Sequence, residues 1–566
     1  MINLLHHVTG IILSLQEWFD SHRHSNASHF WTIFTVTCLF TTISLEPSSY
    51  FLHWDVASQH VAALDFLKGC WGYDAGKPFI MFVIALTYGM FGANPLFEIA
   101  ILVLAAGLTS GCIFLLAQTA LPSRNSAWAT AIWFLSWPTT LYYTRIHLGY
   151  ALALFLTGLV AATRGRNVLS GCLLALGILA HPGLAAPALV WIAATIVFWQ
   201  QKRLKRTVES VAGLIFTLLL LETVRFVYTG ELFGWWQGQI TDINAYASTG
   251  GGTRWSHVLE AFWLANGSVH STICFIGITL FLGTWYRSRN SQGNPIFATA
   301  LFLLIFYGVR TGIGIAGFNM RLLLGANPLL AITALTGIAR STLLSRWYRI
   351  PMARALSVTL LLAALVISVT SVRRLSRSAY PTLNQVFLEA SSLSVPVRYF
   401  GQPYPALFFG VKHNVETLAN LTNFQNVPLH TPPAIVVVES DSHVDKQELG
   451  RHLRTHDDLQ YDYRSFEHPV VSNRLRAMEQ AFFPSTEELW QLARTPATVK
   501  PELSVWVPRD TLAVNHSNYS ESGKISYEWM SYYYHGDGDC QITPRDHPYA
   551  WRYYLYLLPR MQEYFR

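Results

Sequence analysis

Apolar residues run through the first two thirds of this chain in long stretches, broken by short polar turns. A helix needs about 20 mostly apolar residues to cross a bilayer. The sequence offers about eleven candidate stretches, at 29–46, 95–118, 126–142, 147–163, 167–181, 183–200, 208–229, 266–285, 295–311, 319–339 and 355–371. Before the first of them, Leu4, Leu5, Val8, Ile11, Ile12, Leu15, Trp18 and Phe19 recur at helical spacing. That pattern predicts an interfacial amphipathic helix within residues 1–28. The same residues lack a basic n-region and a small-residue cleavage site, so no cleavable signal sequence is expected. Between the first and second stretches, two further amphipathic segments flank a turn at Lys77-Pro78.

The pattern changes near residue 372. Residues 373–566 hold no spanning stretch and are rich in Asp, Glu, His, Pro and Tyr. Pro433–Glu439 (PAIVVVE) and Leu503–Val507 (LSVWV) read as strands, and Lys446–Arg454 and Glu487–Ala493 as helices. The expected architecture is a polytopic α-helical membrane domain over 29–372, with a small soluble α/β domain over 373–566.

Charge supplies the orientation. Basic residues cluster at Arg164 and Arg166, at Lys202–Arg206, at Arg287 with Arg289, and from Arg340 to Arg354. If the eleven stretches alternate, these clusters share one side, which the positive-inside rule makes the cytoplasm. The segment around Asp55, the Arg145–His147 turn, the loop 230–265 and the C-terminal domain then lie outside. Composition agrees: 51% of the 566 residues are hydrophobic and 13% charged, against about 25% charged in soluble proteins. The mean hydropathy is +0.28. The formal charge of +7 sits in short inter-span loops, so no nucleic-acid partner is expected; membrane lipid is. Of the six cysteines, Cys38, Cys112, Cys172 and Cys274 fall in apolar stretches. Cys70 and Cys540 fall outside them, and their pairing is left open.

Candidate chemistry lies at the outer ends of the stretches. Asp55, in FLHWDVASQH after His53, suits a general base for an acceptor hydroxyl and equally suits a helix N-cap. Lys77 precedes proline, which favours an extended backbone; its amine is either a point charge for a phosphate or an interfacial headgroup contact. Arg145 and His147 close the third stretch, where a charge is a functional candidate unless it snorkels to the interface. His181-Pro182 breaks the chain between the fifth and sixth stretches. Arg310 and Arg321 flank a later outer turn, and arginine binds phosphate bidentately. The loop Thr229–His257 carries Trp235 and Trp236, suited to a sugar face, an isoprenoid chain or an aromatic belt. His443, His452, His456 and His468 show no metal-ligand spacing, and Gly536–Asp539 reads as a turn.

In this arrangement the chain resembles the GT-C superfamily of integral-membrane glycosyltransferases, in the branch of protein O-mannosyltransferases and aminoarabinose transferases. The resemblance covers roughly residues 29–340. It rests on Asp55 in the first outer loop, Lys77-Pro78 after it, Phe91-Gly92 closing the next apolar segment, Arg145 on the next outward turn, and Arg321 with Pro328. It implies an inverting transferase with Asp55 as base, Lys77, Arg145 and Arg321 on the donor phosphate, and juxtamembrane helices in the first outer loop. His53, His147, His181, Trp235, Trp236 and Arg310 are further substrate-binding candidates. The implied partners are a polyprenyl-phosphate sugar donor and a glycan, lipid or protein acceptor; the implied location is a bacterial inner membrane. Three positions depart from the family pattern. Val56 stands where many relatives carry a second acid, Gly149-Tyr150 replaces an acid after the third-stretch arginine, and His181 stands for a lysine or arginine. No metal site or cofactor is assigned, and a divalent cation stays open. A transporter of a lipid-linked substrate and an inactive scaffold of the same fold are the competing readings.

Overall fold

A computed structural model of the chain describes residues 26–44, most of 59–69, 77–91, 95–121, 123–144, 146–198, 203–230, parts of 233–236, 257–285, 293–312, 320–341, Val366 and five strands with one helix between 397 and 508. The interfacial helix expected near the N-terminus, the stretch 355–371 apart from Val366, and the helix expected at Glu487–Ala493 lie outside the described residues.

The helical part runs α1 (Asn26–Ser44), α2 (Pro78–Phe91), α3 (Pro95–Ala120), α4 (Arg124–Leu135), α5 (Pro138–Tyr143), α6 (Leu148–Thr163), α7 (Asn167–Ala180), α8 (Ala185–Phe198), α9 (Arg203–Thr229), α10 (His257–Asn266), α11 (Ser268–Trp285), α12 (Asn294–Gly312) and α13 (Ala326–Arg340). Within the helices α3 and α9, Ile99–Ala120 and Leu204–Tyr228 are long and apolar enough to cross a membrane. The 14-residue helices α7 and α8 rise about 21 Å each, short of a hydrocarbon core of about 30 Å.

Three expected elements are divided or displaced. The stretch 126–142 is two helices, because Pro138 cannot continue the α4 ladder; Trp137 before it is extended, at φ −69° and ψ 129°. The stretch 319–339 begins as a 3₁₀ turn, Met320–Leu323, before α13. Within the loop expected over 230–265, residues from His257 onward form α10, which Gly267 ends at φ +79°.

Side chains on α1, α9 and α12 such as Trp31, Leu39, Phe216, Leu220, Phe302 and Ile305 are large, apolar and exposed. So much outward apolar surface marks a face for lipid or another apolar partner. Several hydroxyls inside the bundle are satisfied locally: Thr87, Thr157, Thr333 and Thr336 each donate to the carbonyl four residues earlier at 2.7 Å. Such back-bonding removes the cost of an unpaired polar group in apolar surroundings.

Glycines set two of the helix contacts. A Cβ on Gly171 of α7 would fall on the Ser210 carbonyl of α9, and one on Gly213 on the Val168 carbonyl of α7. Gly277 of α11 and Gly337 of α13 are held as closely against each other's helix. Small residues at such crossings let backbones approach, the usual source of association between helices where burial from water supplies little.

The five strands form a mixed sheet in the order β2-β1-β3-β5-β4: β1 (Val397–Phe400), β2 (Val415–Thr417), β3 (Ile435–Glu439), β4 (Tyr461–Glu467) and β5 (Pro501–Pro508). β1 runs parallel to β2 and β3, and β5 antiparallel to β3 and β4. The helix α14 (Lys446–Arg454) buries Leu449 and Leu453, one turn apart, against Phe400, Val436, Val438 and Trp506. Val397, Ile435, Val437, Val505 and Val507 on the alternate face are as deeply buried. Burial on both faces explains why PAIVVVE is a continuous apolar run rather than an alternating one.

Candidate active site

Lys77 stands immediately before α2 and is half-buried. Its carbonyl accepts from the Ile80 and Met81 N–H groups at 3.1 and 3.3 Å. Pro78 takes the first helical position, where its missing N–H costs nothing. Lys77 thus stands at a helix N-terminus, whose free N–H groups favour an anion.

Three turns that carry candidates lie close together. The His181 N–H donates to the Gly177 carbonyl at 2.9 Å, and its own carbonyl accepts from Leu184 at 2.9 Å. Its ring lies over Gly183, where a Cβ would meet Nδ1 at 2.8 Å, so glycine leaves the space that the imidazole occupies. The turn Pro182–Leu184 packs on the turn Met320–Leu323, with Leu322 3.6 Å from the same Cβ position at Gly183. Arg321 lies on that second turn, and its charge falls on the phenol of Tyr143, at the end of α5. His147 is buried in the turn from α5 to α6. The structure therefore gathers His181, Arg321 and Tyr143 into one neighbourhood at the joints of the bundle. Arg310 is half-buried on the last turn of α12, and its charge falls on Tyr307, one turn earlier. Asp55, His53 and Arg145 lie outside the described residues.

Beneath these turns is a set of buried polar side chains with no local sequence signal. The Thr139 hydroxyl on α5 donates to Asn266 Oδ1 on α10 at 2.6 Å and accepts from Asn327 Nδ2 on α13 at 3.5 Å. The Ser136 hydroxyl meets His270 Nε2 on α11 at 2.9 Å. One hydroxyl thus joins the helix leading into Arg145, the helix after the aromatic loop and the helix after Arg321. Thr139→Val keeps the shape and removes both hydrogen bonds. It is expected to cost about 1–3 kcal/mol, because Asn266 and Asn327 stay buried with polar atoms unmet. The loss is to be read from the midpoint of an SDS unfolding titration.

Beside the aromatic loop lies an acid that the loop's own sequence does not reveal. Glu222, buried on α9, faces the backbone N–H groups of Phe233, Trp235 and Trp236, with Arg225 beside it. An acid inside LLLLETVRF is a legible signal, since a charge in an apolar helix is a functional candidate by default. Gly230 ends α9 in the left-handed region at φ +69°, its N–H bonded to the Phe226 carbonyl at 2.8 Å. Phe233 is also left-handed, at φ +58°, which a bulky side chain rarely adopts. Trp235 is buried, Trp236 is exposed, and their rings pack edge to face at 4.8 Å.

Among the described residues no group of three His, Cys, Asp or Glu side chains could hold a metal ion. Cys38, Cys112, Cys172 and Cys274 are free thiols, and Cys70 and Cys540 lie outside the described residues.

The helical arrangement, with apolar outer faces and helices broken at the candidate turns, is a fold shared with a solved structure. Among solved structures, the chain is similar to ArnT from Cupriavidus metallidurans, crystallised with undecaprenyl phosphate. The likeness covers 77% of this chain and 95% of that one, at 13% identity and a TM-score of 0.51. No protein-family model matches the sequence, and no curated protein matches it.

Proposed function

We propose that the protein is an inverting glycosyltransferase that moves a sugar from a polyprenyl-phosphate donor to an acceptor hydroxyl outside the membrane. The observation that carries this reading is the fold shared with ArnT, whose crystal structure holds undecaprenyl phosphate. Lys77 at a helix N-terminus and Arg321 beside Tyr143 support it as phosphate partners. In this mechanism Asp55 takes the proton of the acceptor hydroxyl as its oxygen attacks the anomeric carbon. The bond from that carbon to the phosphate oxygen breaks on the opposite face, inverting the configuration. The electron pair leaves with polyprenyl phosphate. Lys77, Arg145 and Arg321 stabilise the charge that grows on the leaving phosphate, the kind of preorganised stabilisation that lowers such a barrier most. A lipid phosphate leaves without protonation, so no separate acid is required.

The same reading places residues 29–372 in a bacterial inner membrane with about eleven spans. It makes 373–566 an extracytoplasmic domain that positions a glycan, lipid or protein acceptor. The test is sugar transfer by the purified, detergent-solubilised protein, offered a panel of radiolabelled polyprenyl-phosphate sugars. Release of polyprenyl phosphate with labelled product is the expected result and names the donor. Tight donor binding without release from any member of the panel would replace the transferase reading with a transporter or an inactive scaffold.

A further inference from the structure

The two segments proposed to carry the base and the first phosphate contact are joined by a hydrogen bond between fully buried side chains. His60 Nδ1 bonds the hydroxyl of Tyr88, and both residues are 0% exposed. His60 lies five positions after Asp55, and Tyr88 lies on α2, the helix that Lys77 opens. Around the bond, the Phe66 ring packs on Phe82 of α2 at 5.1 Å and on Tyr228 of α9 at 4.9 Å. Leu67 lies over Gly89, where a Cβ would sit 3.5 Å from its side chain. The described residues between 59 and 69 are therefore seated on α2 by apolar contacts, and the His60–Tyr88 bond adds a buried polar contact that favours one position along it.

Burial pushes the His60 imidazolium down to about 3 and the Tyr88 phenol up, so at neutral pH the bond joins two neutral groups. Apolar packing alone is tolerant of sliding, whereas a buried hydrogen bond is met at one register and is lost at any other. α2 itself carries no charged side chain that could replace it.

We infer that His60 and Tyr88 form a positioning clasp that holds the acid-bearing segment against the lysine-bearing helix, setting the distance between base and donor phosphate. The inference rests on the transferase reading for its effect on catalysis, but not for its effect on the segment. Neither residue touches the reacting atoms, so loss of the clasp is a loss of geometry.

The experiment compares Tyr88→Phe, His60→Ala and His60→Asn in the full-length protein, with two readouts. Asparagine places a polar atom near the position of Nδ1 and serves as the conservative rescue. The first readout is amide hydrogen exchange over 59–69. It is expected to rise in Tyr88→Phe and His60→Ala and to return towards wild type in His60→Asn. The second is transfer kinetics, where kcat is expected to fall about 10- to 100-fold, as displacement of a catalytic group by about 1 Å can do, with the donor KM unchanged. Unchanged exchange over 59–69 in Tyr88→Phe would overturn the clasp whatever the activity. Equal losses in His60→Asn and His60→Ala, with kcat, KM and thermal stability moving together, would overturn it in favour of a general packing role. If the wild type binds donor tightly yet transfers no sugar, the transferase reading fails, and the exchange data alone still decide whether the clasp exists.

Discussion

Asp55→Asn is expected to lower turnover by roughly 10²- to 10⁴-fold, the range supplied by a positioned general base, while donor affinity stays near that of wild type. Asparagine keeps the size and hydrogen-bonding reach of the side chain but cannot accept the proton of the acceptor hydroxyl. The effect is therefore confined to the step in which that proton moves. Donor binding depends on the phosphate contacts proposed for Lys77, Arg145 and Arg321, which the substitution leaves in place. The measurement is single-turnover release of polyprenyl phosphate, with donor affinity determined separately. The sequence sharpens the prediction, because Val56 follows Asp55 where many relatives of the resembled family carry a second acid, so no adjacent carboxylate can take over. Full turnover by Asp55→Asn would mean that the base lies elsewhere.

The second large effect is structural. Gly171→Leu is expected to destabilise the bundle at or beyond the upper end of the roughly 1–3 kcal/mol typical of overpacking. A Cβ there falls on the backbone carbonyl of Ser210 rather than on a mobile side chain, so the neighbour cannot turn away. Gly213 presses on α7 from the opposite helix, and α7 and α9 must therefore separate together. Gly283, on α11, provides the control. A Cβ there meets nothing within 4 Å, and alanine gains about 1 kcal/mol of helix propensity over glycine. Gly283→Ala should unfold at or above the wild-type point in detergent, and Gly171→Leu well below it. Equal unfolding of the two variants would show that the contact between α7 and α9 is not as tight as described.

Part of the candidate site is legible in the sequence. Lys77-Pro78 marks a helix start because proline favours the first helical position, and α2 starts there. His181-Pro182 marks a break because proline cannot extend α7, and a 3₁₀ turn follows. Proline also divides α4 from α5, a break that hydropathy alone smooths over by joining 126–142 into one stretch. Glu222 is legible too, since an acid in an apolar helix stands out, but its place beside the loop of Trp235 and Trp236 is not.

What the sequence by itself determined is the set of local elements: the apolar helices and their polar turns, the buried strand β3, the amphipathic helix α14, and which residues could carry chemistry. Each of these follows from periodicity, proline placement or charge within a few neighbouring positions. What only the tertiary structure decided is which of them meet. Thr139 bonds residues 127 and 188 positions away, His60 finds Tyr88 across the Lys77 turn, and the charge of Arg321 is felt at Tyr143. A threonine in a helix, a histidine beside apolar residues and a glycine in a span look the same in sequence whether or not a partner waits across the bundle. Their roles depend on how the helices cross, and that depends on backbone approach at positions such as Gly171 and Gly213, which no local pattern encodes.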